Sequence, residues 1–476
     1  MTETQDPGSA QSPPPGVIVR EQEYGDRVVG VEPGGVEFIP FDQRHGRPRK
    51  LFWTWTSPNL EFSTVFLGVL AVAVFKLSFW QAAAAIVVGT VLGSIPLGVL
   101  SARGPRYGVA QMVLGRVPFG YRGNILPATL NAVTAGIGWF AVNSVSATFA
   151  LNTLTGLPKS LCLVVVVVVE VAIAFFGHNL VHAFARYAFP VLAVVFAVGS
   201  VIILFQADFG AHPAGGGGGL GGFLAATSAA FGYAGAWSSC AADYSRYLPA
   251  DTNRRAVGLS SGLGVLLGCA VLEIVGAASA TIGSTALTDP TGAYTGHMPA
   301  LVGALTLLAI TLGAISANVL NLYSGALSFV TLSLRLPFPL TIQRAAVVMT
   351  FGVIGLVVAY FGLRDVGQSY EAFLLVIAYW IGPWLGVVLT DQYLRRRERT
   401  DSLLFDATHR NLAGPIAMLA GLVLSVWLFS DQQAYVGVVP SHIKSFGDIT
   451  FAVGFAIAAA SYAALRLAKH RERSVS

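Results

Sequence analysis

Charge is scarce in this chain. Asp, Glu, Lys and Arg make up 11% of 476 residues, against about 25% in soluble domains. So little charge excludes an ordinary water-soluble fold. Cysteine is scarcer still: Cys162, Cys240 and Cys269 all lie in apolar stretches, so neither a disulfide framework nor a cysteine metal site follows. Long polar stretches are missing after residue 51, which leaves no room for a second soluble domain. Residues 1–51 are polar, rich in Pro and Gly, and lack the apolar centre of a cleavable leader. They read as a disordered cytoplasmic tail.

What fills the chain is hydrocarbon, with 54% hydrophobic residues and a mean hydropathy of +0.66. About twelve apolar runs recur, each long enough to cross ~30 Å of bilayer core. In order they are 60–75, 82–100, 126–151, 161–176, 187–205, 223–242, 256–282, 299–334, 345–361, 370–389, 412–429 and 449–465. The net charge of +5 invites a nucleic-acid partner, but its distribution points to topology instead. With the amino terminus inside and the runs alternating, only Lys76, Lys159, Arg364 and Lys444 of the 29 basic residues fall outside. That asymmetry is what the positive-inside rule requires of an even number of spans. It predicts a multi-pass plasma-membrane protein with both termini cytoplasmic and no nucleic-acid partner. Oligomeric state leaves no signature in the sequence.

Two runs are poor continuous helices. The first opens on Ser57-Pro58-Asn59 and carries Gly68 at its middle; the sixth holds Gly232, Gly235 and Trp237-Ser238-Ser239. Interrupted helices at matching places in two halves are a pointer to a transporter binding site, although Gly also serves helix packing. The Gly215–Gly219 run between spans five and six reads as a flexible linker or a hinge.

Run three carries Gly138-Trp139-Phe140-Ala141-Val142-Asn143. Residues four apart share a helix face, which sets an indole plate beside an amide near mid-membrane depth. The pair suits a small, flat, polar ring; a Trp anchor and an interhelical amide are the other roles such residues take. Run eight adds Asn318 and Asn321, amides able to serve both donor and acceptor edges of a nucleobase. Run six adds Trp237, so two indoles could sandwich a ring, at roughly 1–3 kcal/mol per stacking contact. Intramembrane acids are functional suspects: Glu61, Glu170 and Glu273 lie within runs, with Glu61 foremost as a proton carrier and Glu170 more like a packed acid bonded to a neighbouring helix. His178 and His182 are four apart, but a polar helix–loop face explains them better than a metal.

Further motifs are Ala241-Ala242-Asp243-Tyr244-Ser245-Arg246-Tyr247-Leu248-Pro249, Asn59 to Thr64, Phe176 to His182, and Asn318 to Tyr323. From about Phe52 to Leu465 the chain resembles the purine–cytosine permease family, part of the first nucleobase–cation symporter family, nearest its fungal cytosine–purine members. The resemblance implies an all-α polytopic membrane protein with a leucine-transporter-type five-plus-five inverted repeat (52–206 and 223–394), two added helices (411–466) and a cytoplasmic tail (467–476). It implies substrate-binding places for Trp139, Asn143, Trp237, Asn318, Asn321 and Ser63 or Thr64. Ser316 matches one hydroxyl place of a sodium site, while Ala317 occupies the next and offers no side-chain oxygen, which favours proton coupling. The expectation is a symporter, not an enzyme, importing cytosine or purines by alternating access with H+ or Na+ and no other cofactor. A carrier of allantoin, hydantoin, thiamine or pyridoxine is the alternative.

Overall fold

The computed structural model describes residues 37–476 except 177, 212–216, 284–286, 288, 333–339, 444 and 476; of 175, 176, 178–189, 340, 341, 344 and 469–475 it describes the backbone alone. The first 36 residues of the predicted tail, part of the glycine run, and the side chains of His178 and His182 lie outside the described residues.

Helices dominate. They run as α1 (Arg49–Thr56), α2 (Phe62–Ala73), α3 (Phe79–Ser101), three short turns α4 (Gly104–Tyr107), α5 (Gln111–Leu114) and α6 (Arg116–Phe119), then α7 (Ile125–Val133) and α8 (Phe140–Thr155). Next come α9 (Lys159–Phe176), α10 (His178–Gln206), α11 (Gly219–Ala236), α12 (Ala241–Ser245), α13 (Arg254–Ser279), α14 (Pro290–Thr295) and α15 (Ala300–Thr331). The chain closes with α16 (Leu340–Gly362), α17 (Val366–Leu394), α18 (Ala413–Phe429), α19 (Val438–His442) and α20 (Thr450–Val475). Between α18 and α19, β1 (Asp431–Gln432) and β2 (Tyr435–Val436) form a small antiparallel hairpin.

Every apolar run read from the sequence falls on helix. Among the described residues, seven helices are long and apolar enough to cross a membrane, and three apolar ones are shorter, including Phe62–Ala73 and Ala413–Phe429. The first run is short because it is interrupted. Pro58 sits in a 3-10 turn (Ser57–Asn59), Leu60 leaves the helical region, and Glu61 is fully extended at φ −150°, ψ 168°. Pro cannot donate into a helical ladder, and backbone groups freed at membrane depth must find partners. Thr64 Oγ1 accordingly donates to the Asn59 carbonyl at 2.7 Å, and the Glu61 carboxylate caps α2 by accepting the Ser63 N–H at 3.0 Å. The sixth run is interrupted more mildly, where α11 gives way to a 3-10 turn (Trp237–Cys240) before α12 with no extended residue.

Two packing groups flank these breaks. α1, α2, α3, α11 and α13 pack together, as do α7, α8, α9, α15 and α16, while α17 leans on α11 and carries α18 and α20. The α2–α13 seam is closed by backbone on backbone. A methyl group added at Gly68 would overlap the Glu273 carbonyl, and one at Gly276 would overlap that of Val65. Small residues of this kind let membrane helices approach closely. Ahead of α1, Arg44 packs on the rings of both Phe38 and Phe41 and donates to the carbonyls of Ile39 and Pro105. Burial draws its guanidinium down to about 10, still cationic at neutral pH.

Candidate functional site

The broken segment of α1–α2 brings backbone and side-chain polar groups to one place in an apolar interior. Glu61 lies there, 1% exposed. Its Oε1 accepts from Tyr233 of α11 at 2.9 Å and meets the Ser63 hydroxyl, while its Oε2 accepts the Ser63 N–H. Ser63 Oγ also lies 3.0 Å from Asn143 Oδ1 on α8, across the boundary between the two packing groups. Glu61, Ser63 and Asn143, assigned to ion and substrate from sequence, thus form one continuous chain.

Trp139 ends a π-helical stretch (Thr134–Trp139) that joins α7 to α8. Such single-turn irregularities re-aim side chains and recur at functional sites. Its indole is walled edge-on by Tyr233 (centroids 4.9 Å apart, planes at 81°) and Phe373 (5.2 Å, 81°), with Tyr370 at 6.4 Å. Tyr370 also donates to the Ser63 carbonyl at 2.9 Å and stacks on Phe66. The aromatic box on Trp139 therefore comes from α11 and α17. Tyr370 and Phe373 are three apart and share a face of α17, but no spacing relates them to Tyr233 or to Trp139, which lie far off in the sequence.

Trp237 starts the 3-10 turn after α11. Its Nε1 donates to Asn59 Oδ1 at 3.1 Å and its ring packs against Trp55 at 5.7 Å. It is joined to the first-run break, and its aromatic neighbour is Trp55 where that of Trp139 is Tyr233. Thr64 is committed locally, bonding the Asn59 carbonyl and lying 2.6 Å from the Tyr233 hydroxyl.

The two amides of α15 part company. Asn318 Nδ2 donates to the Phe140 carbonyl (2.9 Å), Ser144 Oγ (3.1 Å) and Glu170 Oε1 (2.9 Å), and Ser144 donates to Glu170 Oε2 (2.7 Å). Asn318 thereby ties α15 to α8 and α9. Asn321, one turn on and 3% exposed, spends its amide on no described residue. Glu170 is the helix-bonded acid expected of it, and Glu273 accepts from Thr90 of α3 at 2.9 Å. Ser316 is buried with its Oγ unpartnered, one turn beyond the point where Gly313 packs on the Leu60 carbonyl; Ala317 beside it adds no side-chain oxygen.

A family model for permeases for cytosine/purines, uracil, thiamine and allantoin matches residues 38–454. A putative purine-cytosine permease of Bacillus subtilis, YxlA, is 29% identical over 460 residues, covering 93% of this chain and 98% of its own. The purine-cytosine permease fcyB of Emericella nidulans is 27% identical over 92% of this chain and 89% of its own. Among solved structures, the inward-facing conformation of Mhp1 superposes with a TM-score of 0.71 at 20% identity, covering 93% of this chain and 95% of that one. Mhp1 in a closed conformation with bromovinylhydantoin bound gives 0.69 at 19%, covering 92% and 94%. At such identity the likeness establishes the fold.

Proposed function

Since the chain belongs to the family of permeases for cytosine/purines, uracil, thiamine and allantoin, and is a multi-pass membrane transporter and not an enzyme, we propose that it imports cytosine or a purine by alternating access, coupled to a proton. The observation that carries this is the meeting of Trp139, boxed by Tyr233 and Phe373, with the Asn143–Ser63–Glu61 chain. An indole face stacks any flat base, and an amide reads its rim.

Counting hydrogens supports the proton. Ser63 has one hydroxyl hydrogen and two acceptors, Glu61 Oε1 and Asn143 Oδ1. Thr64 gives its hydrogen to Asn59, so the one hydrogen of Tyr233 has two acceptors, Thr64 Oγ1 and Glu61 Oε1. With Glu61 ionised, Ser63 points to the carboxylate, and the Asn143 amide turns to donate to Ser63 and offer its oxygen to cargo. With Glu61 protonated, the acid donates to Ser63, Ser63 donates to Asn143 Oδ1, and both amide N–H bonds are left for cargo. Proton occupancy thus sets the polarity presented to the base, which is a coupling between two sites. For sodium, the side chains at the matching place offer only the Ser316 hydroxyl, whereas oxygen-seeking cations take several ligands.

The test is uptake of labelled cytosine and adenine into proteoliposomes under an imposed pH or sodium gradient, with unlabelled competitors. Accumulation should follow the pH gradient and be blocked by cytosine or a purine. Competition by hydantoin or thiamine, with none by nucleobases, would reassign the cargo. Accumulation driven by sodium alone would reassign the ion.

A further inference from the structure

On its outer face the molecule carries a furrow that the transport site does not use. α3 and α13 cross on glycine: a methyl at Gly98 would stand 2.7 Å from the Gly258 carbonyl oxygen, and one at Gly262 would stand 3.2 Å from that of Ser94. With glycine at Gly98, Gly258 and Gly262, the outside of the crossing is left as a cavity of about 610 Å³. Ile95, Val99, Leu259 and Leu263 line it, all exposed. Arg254 and Arg255 close one end. Both are exposed, and neither guanidinium pairs with a described residue. Asp251 in the preceding turn offsets part of this charge. Asn253 already caps the helix by accepting the N–H groups of Arg255 and Ala256, so the attraction left for a ligand comes from the side chains.

We propose that this furrow is a binding site for one anionic glycerophospholipid, with an acyl chain along the α3–α13 seam and its phosphate against Arg254 and Arg255. Length supports the assignment. From Arg254 to Leu266 the helix rises about 18 Å, close to half of a ~30 Å hydrocarbon core, so charge and groove together measure one leaflet. Charge supports it as well, because the cationic end lies on the basic side of the protein, where arginines near a membrane surface attract anionic lipid. A second copy of this chain would have to bring acidic groups to the same depth, and free phosphate would leave the apolar furrow unfilled. The consequence reaches the transport site. α13 packs along α2, which carries Ser63, and α3 packs on α13, so a lipid clasping the seam stiffens the half of the molecule that holds the Glu61 network.

The test uses the full-length protein, delipidated and returned to nanodiscs of phosphatidylcholine with or without phosphatidylglycerol, read by native mass spectrometry and by thermal unfolding. One phosphatidylglycerol should be retained in preference to phosphatidylcholine by about 30-fold, which is ~1 kcal/mol for each arginine, and should raise the unfolding temperature. The double variant R254Q/R255Q should lose the preference. Ile95→Trp, which fills the furrow from its exposed side, should lose retention of both lipids. Equal retention of the two lipids by the unaltered protein would overturn the proposal, as would an unchanged preference in the double variant. So would displacement of the lipid by inorganic phosphate, or a dimer that Ile95→Trp abolishes.

Discussion

Ser63 has one hydrogen to share between Glu61 and Asn143, and much of the site's behaviour turns on that shortage. If the serine passes on the protonation state of Glu61, Ser63→Ala should flatten the pH dependence of nucleobase binding, bringing the ratio of Kd values at high and low pH near one. Ser63→Thr keeps a hydroxyl and should restore it. Calorimetry at two pH values reads both variants, and an unchanged ratio in Ser63→Ala would refute the relay. Trp139→Ala should remove about 1–3 kcal/mol of stacking and raise Kd by roughly 5-fold to 150-fold, with normal amounts of protein in the membrane. Normal uptake by that variant would remove Trp139 from the site. The amides of α15 should separate in the same assays. Asn318→Ala strips a donor from the buried Glu170, which costs about 1–3 kcal/mol and should show mainly as a lower unfolding temperature. Asn321→Ala should show mainly as weaker binding, because its amide has no partner among the described residues to lose.

At the scale of elements, the interruptions matter more than the helices. The Ser57–Glu61 break follows Pro58, which cannot donate, and it is tolerated because Thr64 and Ser63 supply local hydrogen bonds. The α2–α13 seam leaves no volume for a side chain at Gly68. Gly68→Leu should therefore force the two helices apart and sharply reduce folded protein, as judged by monodispersity in detergent, whereas Val271→Ala, at an exposed position of the same helix α13, should not. The break after α11 has a further tie: Asn131 of α7 accepts from Ser239 at 2.5 Å and donates to Ser328 of α15 at 2.7 Å. It holds the 3-10 turn after α11 to the opposite packing group. Helix existence was legible throughout, because runs of this length and hydropathy have no other stable form in a bilayer. The π-helical stretch before Trp139 was not legible, since its Thr-Ala-Gly-Ile-Gly-Trp sequence is as compatible with ordinary helix.

For the whole molecule, the distribution of basic residues makes a prediction about sidedness. Cys162, Cys240 and Cys269 are free and buried, so an introduced surface cysteine can be labelled against a quiet background. Lys76→Cys and Arg364→Cys should react with an impermeant maleimide on intact cells, and Arg396→Cys only after permeabilisation. The reverse pattern would invert the topology and with it the leaflet of the proposed lipid.

Hydropathy and charge placement alone determined that this chain lives in a membrane and where its helices lie, because solvation free energy is a property of local sequence. Which polar groups face one another was decided only by packing. Asn318 and Asn321 are equivalent amides on paper, yet a turn of helix sends one into Glu170 and leaves the other bonded to no described residue. Tyr233, Tyr370 and Phe373 become the walls around Trp139 only when helices distant in sequence are pressed together, and no periodicity within a single run carries that information.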